Sequence, residues 1–275
     1  MKLSTISCII ASALMSAPLH AEETPAPNTS SEQVKTWGLS LGLDYSRNGY
    51  KDSHHLAERN LSAKASIIYN YSSDINFTAN FSGYHSYDAF LGDYWEDVWL
   101  TANKKDLWNP TDYIAMSVGA RALIPVSELS KKTDLQSAIR GDVIFAFDLG
   151  GILEGLNIID AVRLRKNFHK YTTVGTLPLE EYRLSNALSI NYKPNKWFFN
   201  IMFDSSTSWS YRGTSYSPKL THAEEIGYQF TDQFSSAIGM TNSATYYDPD
   251  RGPSPLSTLF DLKKPTYYIT LNYNY

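Results

Sequence analysis

The sequence predicts an all-β fold, a transmembrane antiparallel up-and-down β-barrel of about twelve strands, and three observations lead there. From Lys35 to Tyr275 apolar residues alternate with small or polar ones, a period of two that puts the two kinds on opposite faces of a strand. The connections between these segments alternate in length, as in a membrane barrel with tight turns at one rim and longer loops at the other. Aromatic residues such as Trp37, Tyr45, Tyr69, Tyr71, Tyr192, Trp197, Trp209 and Tyr211 fall at segment ends, where amphipathic rings settle at membrane interfaces. The 241 residues from 35 to 275 allow about 20 residues for each of twelve strands with its connection, against the roughly 9–11 that a membrane strand needs.

The elements follow in order. Trp37, Leu39, Leu41, Leu43 and Tyr45 alternate with Gly38, Ser40, Gly42 and Asp44, and the segment from Leu61 to Tyr71 repeats the pattern with Ile68 out of phase. A tight Ser72-Ser73-Asp74 turn leads to Ile75, Phe77, Ala79 and Phe81, which makes three strands of one meander. A weaker fourth strand is expected near Tyr94 to Asn103, a fifth from Ile114 to Ala122, a sixth from Ile139 to Phe147 and a seventh near Ile159 to His169. Tyr182 to Tyr192 and Trp197 to Trp209 flank the turn Lys193-Pro194-Asn195-Lys196. Ile226 to Phe230, Phe234 to Met240 and Tyr267 to Tyr275 complete the set. Two connections, Lys104 to Thr111 and Gly150 to Ile158, are longer than the turn side of such a barrel requires.

Composition excludes several other classes. With 19% charged and 14% aromatic residues, the chain is neither a disordered segment nor a disulfide miniprotein. A net charge of −4 offers no general attraction to a phosphate backbone, so no nucleic acid is expected as partner. Past residue 21 no apolar run reaches the ~18 residues of a spanning helix, and hydropathy averages are blind to strands that are apolar on one face only.

The N-terminus speaks to compartment. Lys2, the apolar or small run from Leu3 to Met15, and Ala17-Pro18-Leu19-His20-Ala21 form a secretory signal peptide over residues 1–21, cut after Ala21. Residues 22–34 read as a flexible periplasmic tail and residues 35–275 as the barrel. The lone Cys8 lies inside the signal, so the mature chain has no thiol for catalysis, metal binding or a disulfide.

The terminal Tyr267-Tyr268-Ile269-Thr270-Leu271-Asn272-Tyr273-Asn274-Tyr275 is similar to the C-terminal signal that outer-membrane barrels present to the barrel-assembly machinery, which favours a final aromatic. With the signal peptide and the repeated dyads, the whole mature chain resembles a Gram-negative outer-membrane β-barrel of porin-like type. That resemblance implies an integral outer-membrane location with both termini periplasmic, and contact with membrane lipid and lipopolysaccharide. Twelve strands are shared by acidic-oligosaccharide channels, nucleoside channels, an outer-membrane phospholipase and autotransporter translocators, so strand number does not choose a function. A secreted β-sandwich, which also alternates, is the structural alternative.

If the apolar face meets lipid, the other face lines the interior. That assigns Lys64, Arg121, Arg140, Arg163, Arg165, His169 and Arg183 inward, together with Asp44, Asp142, Asp148, Asp204 and Glu225. The bases concentrate on the fifth to eighth strands and Asp44, Asp204 and Glu225 on strands nearer the chain ends, so a basic wall is expected to face a more acidic one. Such a lumen orders polar solutes and favours anions along its arginine side, because the guanidinium fork offers paired donors to carboxylate or phosphate. The expected function is passive, weakly selective diffusion of small polar or anionic solutes. In a narrow barrel the same charges would pair, Arg140 with Asp142 for example, and occlude the interior. A nonconducting barrel that binds a lipoprotein or secreted partner is then the alternative.

No enzyme is expected. An outer-leaflet lipid hydrolase needs a His with a Ser on its own face, but His85 has Gly83 and Tyr87, and His222 has Leu220 and Glu224. Ser185-Asn186 lacks the following glycine and basic residue of the phospholipase motif. His54-His55 with Asp52 and Glu58 is read as a solvent-facing loop rather than a metal site. Asp248-Pro249-Asp250-Arg251-Gly252-Pro253 is turn chemistry. No metal and no cofactor are implied.

Overall fold

The computed structural model describes residues 36–51, 54, 57–88, 91–245, 247–248, 252–253 and 265–275. The signal peptide, the whole N-terminal tail, Asp52 and His55 of the histidine loop, and Pro249 to Arg251 of the Asp248 to Pro253 turn lie outside the described residues. Twelve antiparallel strands close into a barrel. They are β1 (Trp37–Asn48), β2 (Arg59–Asn70), β3 (Ile75–Ser86), β4 (Gly92–Trp95 continuing as Val98–Thr111), β5 (Ile114–Ile124) and β6 (Leu135–Asp148). The second half is β7 (Leu156–His169), β8 (Glu180–Tyr192), β9 (Trp197–Ser210), β10 (Lys219–Gln229), β11 (Phe234–Thr245) and β12 (Thr266–Asn274). Each strand pairs with its neighbours in sequence, and β12 returns to β1 with Leu43 opposite Leu271 and Asp44 opposite Thr270. Closure leaves no strand edge unpaired, the condition for a sheet to sit in hydrocarbon.

The two faces differ as the dyad pattern predicts. Ile139, Leu164 and Ile269 stand 53%, 53% and 52% exposed on the outside, whereas Asp44, Asp142 and Asp204 on the inside are 8%, 3% and 8% exposed. A water-soluble sandwich buries its apolar face. Here that face is the exposed one, which rules out the sandwich and makes lipid the natural solvent for the outer surface.

Short turns 71–74, 112–113, 193–196 and 230–233 gather at one rim, and Tyr275 joins them there through backbone bonds with Leu39. The sequence leaves residues Lys104 to Thr111 as an unusually long turn, but they continue β4. Two extra residues are accommodated where the register shifts between Lys104 and Trp108, with Asp106 at φ 50°. A bulge of this kind bends the strand without ending it, so the turn shrinks to Asp112-Tyr113. The connection 149–155 remains long and interlocks with its neighbour. Gly155 has φ +80°, its carbonyl accepts from Lys193 N at 2.9 Å, and an added Cβ would lie 2.4 Å from the Lys193 carbonyl oxygen. Gly155→Ala is therefore expected to lower the temperature at which the folded band disappears in unboiled electrophoresis, by the equivalent of about 1–3 kcal/mol. An unchanged midpoint would show that the turn relaxes freely.

Longer connections lie at the opposite rim. In 125–134, Ser127 caps the short helix α1 (Glu128–Lys132) and accepts from Ser130 N. The Asp97 carboxylate accepts from Val126 N at 2.9 Å, Ser127 N at 2.8 Å and Ser130 Oγ at 2.5 Å. The helix is thereby tied to β4. Connections 170–179 and 211–218 are joined by Tyr216, whose hydroxyl donates to Pro178 O at 2.6 Å and is pushed up in pKa by burial. Arg59 forks onto Asp88 at 2.8 Å and holds that carboxyl below the usual carboxylate range.

Candidate functional site

The register decides which inward side chains are neighbours. Thr101 of β4 is opposite Arg121 of β5, Arg121 opposite Arg140 of β6, Arg140 opposite Arg165 of β7, and Arg165 opposite Arg183 of β8. Four guanidiniums from four consecutive strands thus form one continuous row on the inner wall. One row nearer the turn rim, Asp142 lies opposite Gly119 and Arg163. Like charges directly opposite one another repel, so the row needs compensation. Asp142 supplies much of it: its carboxylate stands 2.8 Å from Arg140 Nε and 3.1 Å from Arg121 Nε, and accepts from an Arg140 terminal nitrogen at 3.0 Å. Arg163 reaches Asp204 of β9 at 3.5 Å, and Arg183 forks onto Glu180 at 2.8 and 3.2 Å.

Gly119 is the space that admits this cluster, since it offers no side chain between Asn103 and Asp142. Asn103 in turn donates to Asn76 at 3.0 Å, continuing a polar lining around β3 and β4. Across the barrel, Lys64 of β2 meets Asp44 of β1 at 2.5 Å, and Thr270 of β12 donates to the same carboxylate at 2.7 Å. Glu225 of β10 accepts from Asn200 at 3.0 Å and stands beside Tyr268. The Tyr268 ring lies over Gly239, where an added Cβ would be 2.4 Å from its hydroxyl.

The expected contrast of a basic wall against an acidic one is therefore weaker than sequence suggests. Asp142 and Asp204 are spent inside or beside the basic row, and Asp44 is balanced by Lys64. Asp148 sits at the turn rim, where it accepts from Gly150 N at 2.8 Å. His169 sits at the loop rim, its Nδ1 3.3 Å from the Tyr211 hydroxyl. Neither reaches the arginine row. Tyr211, which the sequence puts in an aromatic belt, instead ties the chain together by donating to Asn167 O at 2.6 Å and accepting from His169 N at 2.9 Å.

Two residues of the row's surroundings escape a sequence reading. Glu180 precedes a register shift in β8 that turns it inward beside Arg183. Trp99 lies in the weak fourth strand, to which the sequence assigns no face, and its partners Asn80 and Leu123 put it on the interior. The Arg165 and Arg140 guanidinium carbons lie 5.2 and 5.5 Å from its ring centre. The alternation of Val98, Leu100 and Ala102 against Trp99, Thr101 and Asn103 is the sequence signal that reveals this.

The arrangement can hold anionic groups. His85 Nδ1 is 2.8 Å from the exposed Asp93 carboxylate, and its ring meets the edge of Tyr87 at 4.6 Å, with no serine bonded to it. His222 is buried opposite Phe203 and Asn242. No group of residues suited to a metal ion occurs among the described residues.

No known protein family and no curated protein matches the sequence. Solved structures do match the fold. An outer membrane channel from Pseudomonas putida F1 superposes over 92% of this chain and 100% of its own with a TM-score of 0.58 at 12% identity. The NanC porin superposes over 86% of this chain and 98% of its own, with a TM-score of 0.55 at 12% identity. The chain has the fold of outer-membrane porins. In a porin-type barrel the inner wall is the face that solutes meet, and the arginine row lies on that wall.

Proposed function

We propose that this protein is an outer-membrane channel through which small polar solutes diffuse passively, with a weak preference for anions. One observation carries the reading: the unbroken inward row Arg121, Arg140, Arg165 and Arg183, joined by Arg163. Its five cations are met by three carboxylates, those of Asp142, Asp204 and Glu180. The excess positive charge raises the local concentration of anions, and the carboxylates among the guanidiniums keep the attraction weak enough for release. Asp44, Lys64 and Glu225 line the other side of the same path. Export by residues 1–21, periplasmic termini, assembly through Tyr267 to Tyr275, and contact with lipopolysaccharide belong to this reading.

Purified barrel in a planar bilayer is expected to give discrete conductance steps and, across a potassium chloride gradient, a reversal potential of anion-selective sign. A cation-selective sign would sink the anion preference, and a silent membrane the channel itself. A silent membrane is the result that the second reading anticipates. The ion pairs within the lumen and the helix α1 tied at the loop rim favour a nonconducting barrel that presents its loops to a protein partner.

A further inference from the structure

The arginine row contains one guanidinium that differs from the rest. Arg121 and Arg140 touch Asp142, Arg163 touches Asp204 and Arg183 touches Glu180. Arg165 makes no ion pair among the described residues. Its Nε donates to the neutral Asn167 at 2.7 Å, and its guanidinium lies against the Trp99 ring. Asn167 is itself held, donating to the Glu180 backbone carbonyl at 3.1 Å and to the Glu180 carboxylate at 3.3 Å, a carboxylate whose ion pair is with Arg183. The indole is held too, because Leu123, Leu135 and the fully buried Ala138 form an apolar cluster on the inner wall and Trp99 packs against it. The cluster has a local result, the position of one ring.

We propose that Trp99 is a positioning residue that stands in for a counter-ion, holding Arg165 and Arg140 apart while leaving the Arg165 charge uncancelled, so that Arg165 is where the lumen takes the carboxylate or phosphate group of a passing solute. This rests on the channel reading above. An aromatic face attracts a cation through its quadrupole but carries no net charge. A carboxylate in the same place would also separate the two guanidiniums, and would consume the field that a solute anion senses. The hydrogen bond to Asn167 uses only Nε, so the two terminal nitrogens of Arg165, which make no hydrogen bond among the described residues, are left as the donors that a carboxylate or phosphate needs for paired hydrogen bonds.

The test compares parent, Trp99→Leu, Trp99→Phe and Arg165→Gln in planar bilayers, reading the chloride-to-potassium permeability ratio and the block of single-channel current by inorganic phosphate. Trp99→Leu changes no charge, yet its permeability ratio is expected to fall about twofold or more toward that of Arg165→Gln, the scale of one cation–π contact. Phosphate block weakens in both variants, and Trp99→Phe keeps most of each property. Equal selectivity and equal block in parent and Trp99→Leu would overturn the proposal. A double-mutant cycle on the heat-modifiability midpoint reads the contact without conduction. Trp99→Leu is expected to destabilise the parent more than it destabilises Arg165→Gln, and additive effects would overturn the pairing. A parent with no anion preference overturns the function proposed above, while the cycle still judges the Trp99–Arg165 contact.

Discussion

Replacing Asp142 by alanine is expected to destabilise the barrel by roughly 3–5 kcal/mol, the cost of leaving buried charges without their partner. Asp142 is 3% exposed and stands within ion-pair distance of both Arg121 and Arg140, while the register puts Arg163 opposite it. Removing it leaves three guanidiniums facing one another across adjacent strands. The measurement is the temperature at which unboiled protein loses its compact electrophoretic mobility, with Asp142→Asn as the isosteric control. Asn keeps the shape and loses the charge, so it too should fall well below the parent. Added sodium chloride should return part of the loss in both variants by screening the repulsion. A midpoint unaffected by either substitution would mean that water fills the interior well enough to screen the row, and the account of Asp142 as its organising counter-charge would fail.

The second large effect is on selectivity. The Arg163→Gln/Arg165→Gln double variant is expected to lose the anion preference, bringing the reversal potential in a salt gradient to zero or past it. A unit charge about 4 Å from an ion is worth about 1 kcal/mol even in water, roughly a fivefold change in a permeability ratio. The single variants should not contribute equally. Arg163 has Asp204 at 3.5 Å and so projects a partly cancelled charge, whereas Arg165 is held by Asn167 and Trp99. Arg165→Gln should therefore move the reversal potential more than Arg163→Gln. Equal shifts, or none, would mean that ions pass without sensing this wall.

Both predictions depend on relations between strands, and there the limit of a sequence reading lies. The alternation of Leu39, Leu41 and Leu43 with Ser40, Gly42 and Asp44 is local and needs only the pleat of one strand to put Asp44 inside. Parity likewise placed Arg121, Arg140, Arg163, Arg165 and Arg183 on one face of their strands. It did not tell which arginine meets which. A shift of one residue between β6 and β7 would move Arg165 to the lipid face, and a shift of two would put Arg163 opposite Arg140 in place of Arg165. Parity also failed where the chain leaves the ideal pleat. The register shift in β8 brings Glu180 to Arg183, and the bulge near Asp106 lets β4 run on to Thr111.

By itself the sequence determined that this chain forms twelve membrane-type strands, and which face of nearly every strand carries charge, because side-chain direction in a strand follows from covalent geometry one residue at a time. Only the tertiary structure decided that the cations make a continuous row, that Asp142 is absorbed into it, and that an indole lies against Arg165. Those facts arise from register and closure, which sum small packing and hydrogen-bonding preferences over the whole ring of strands and leave no mark at a single position.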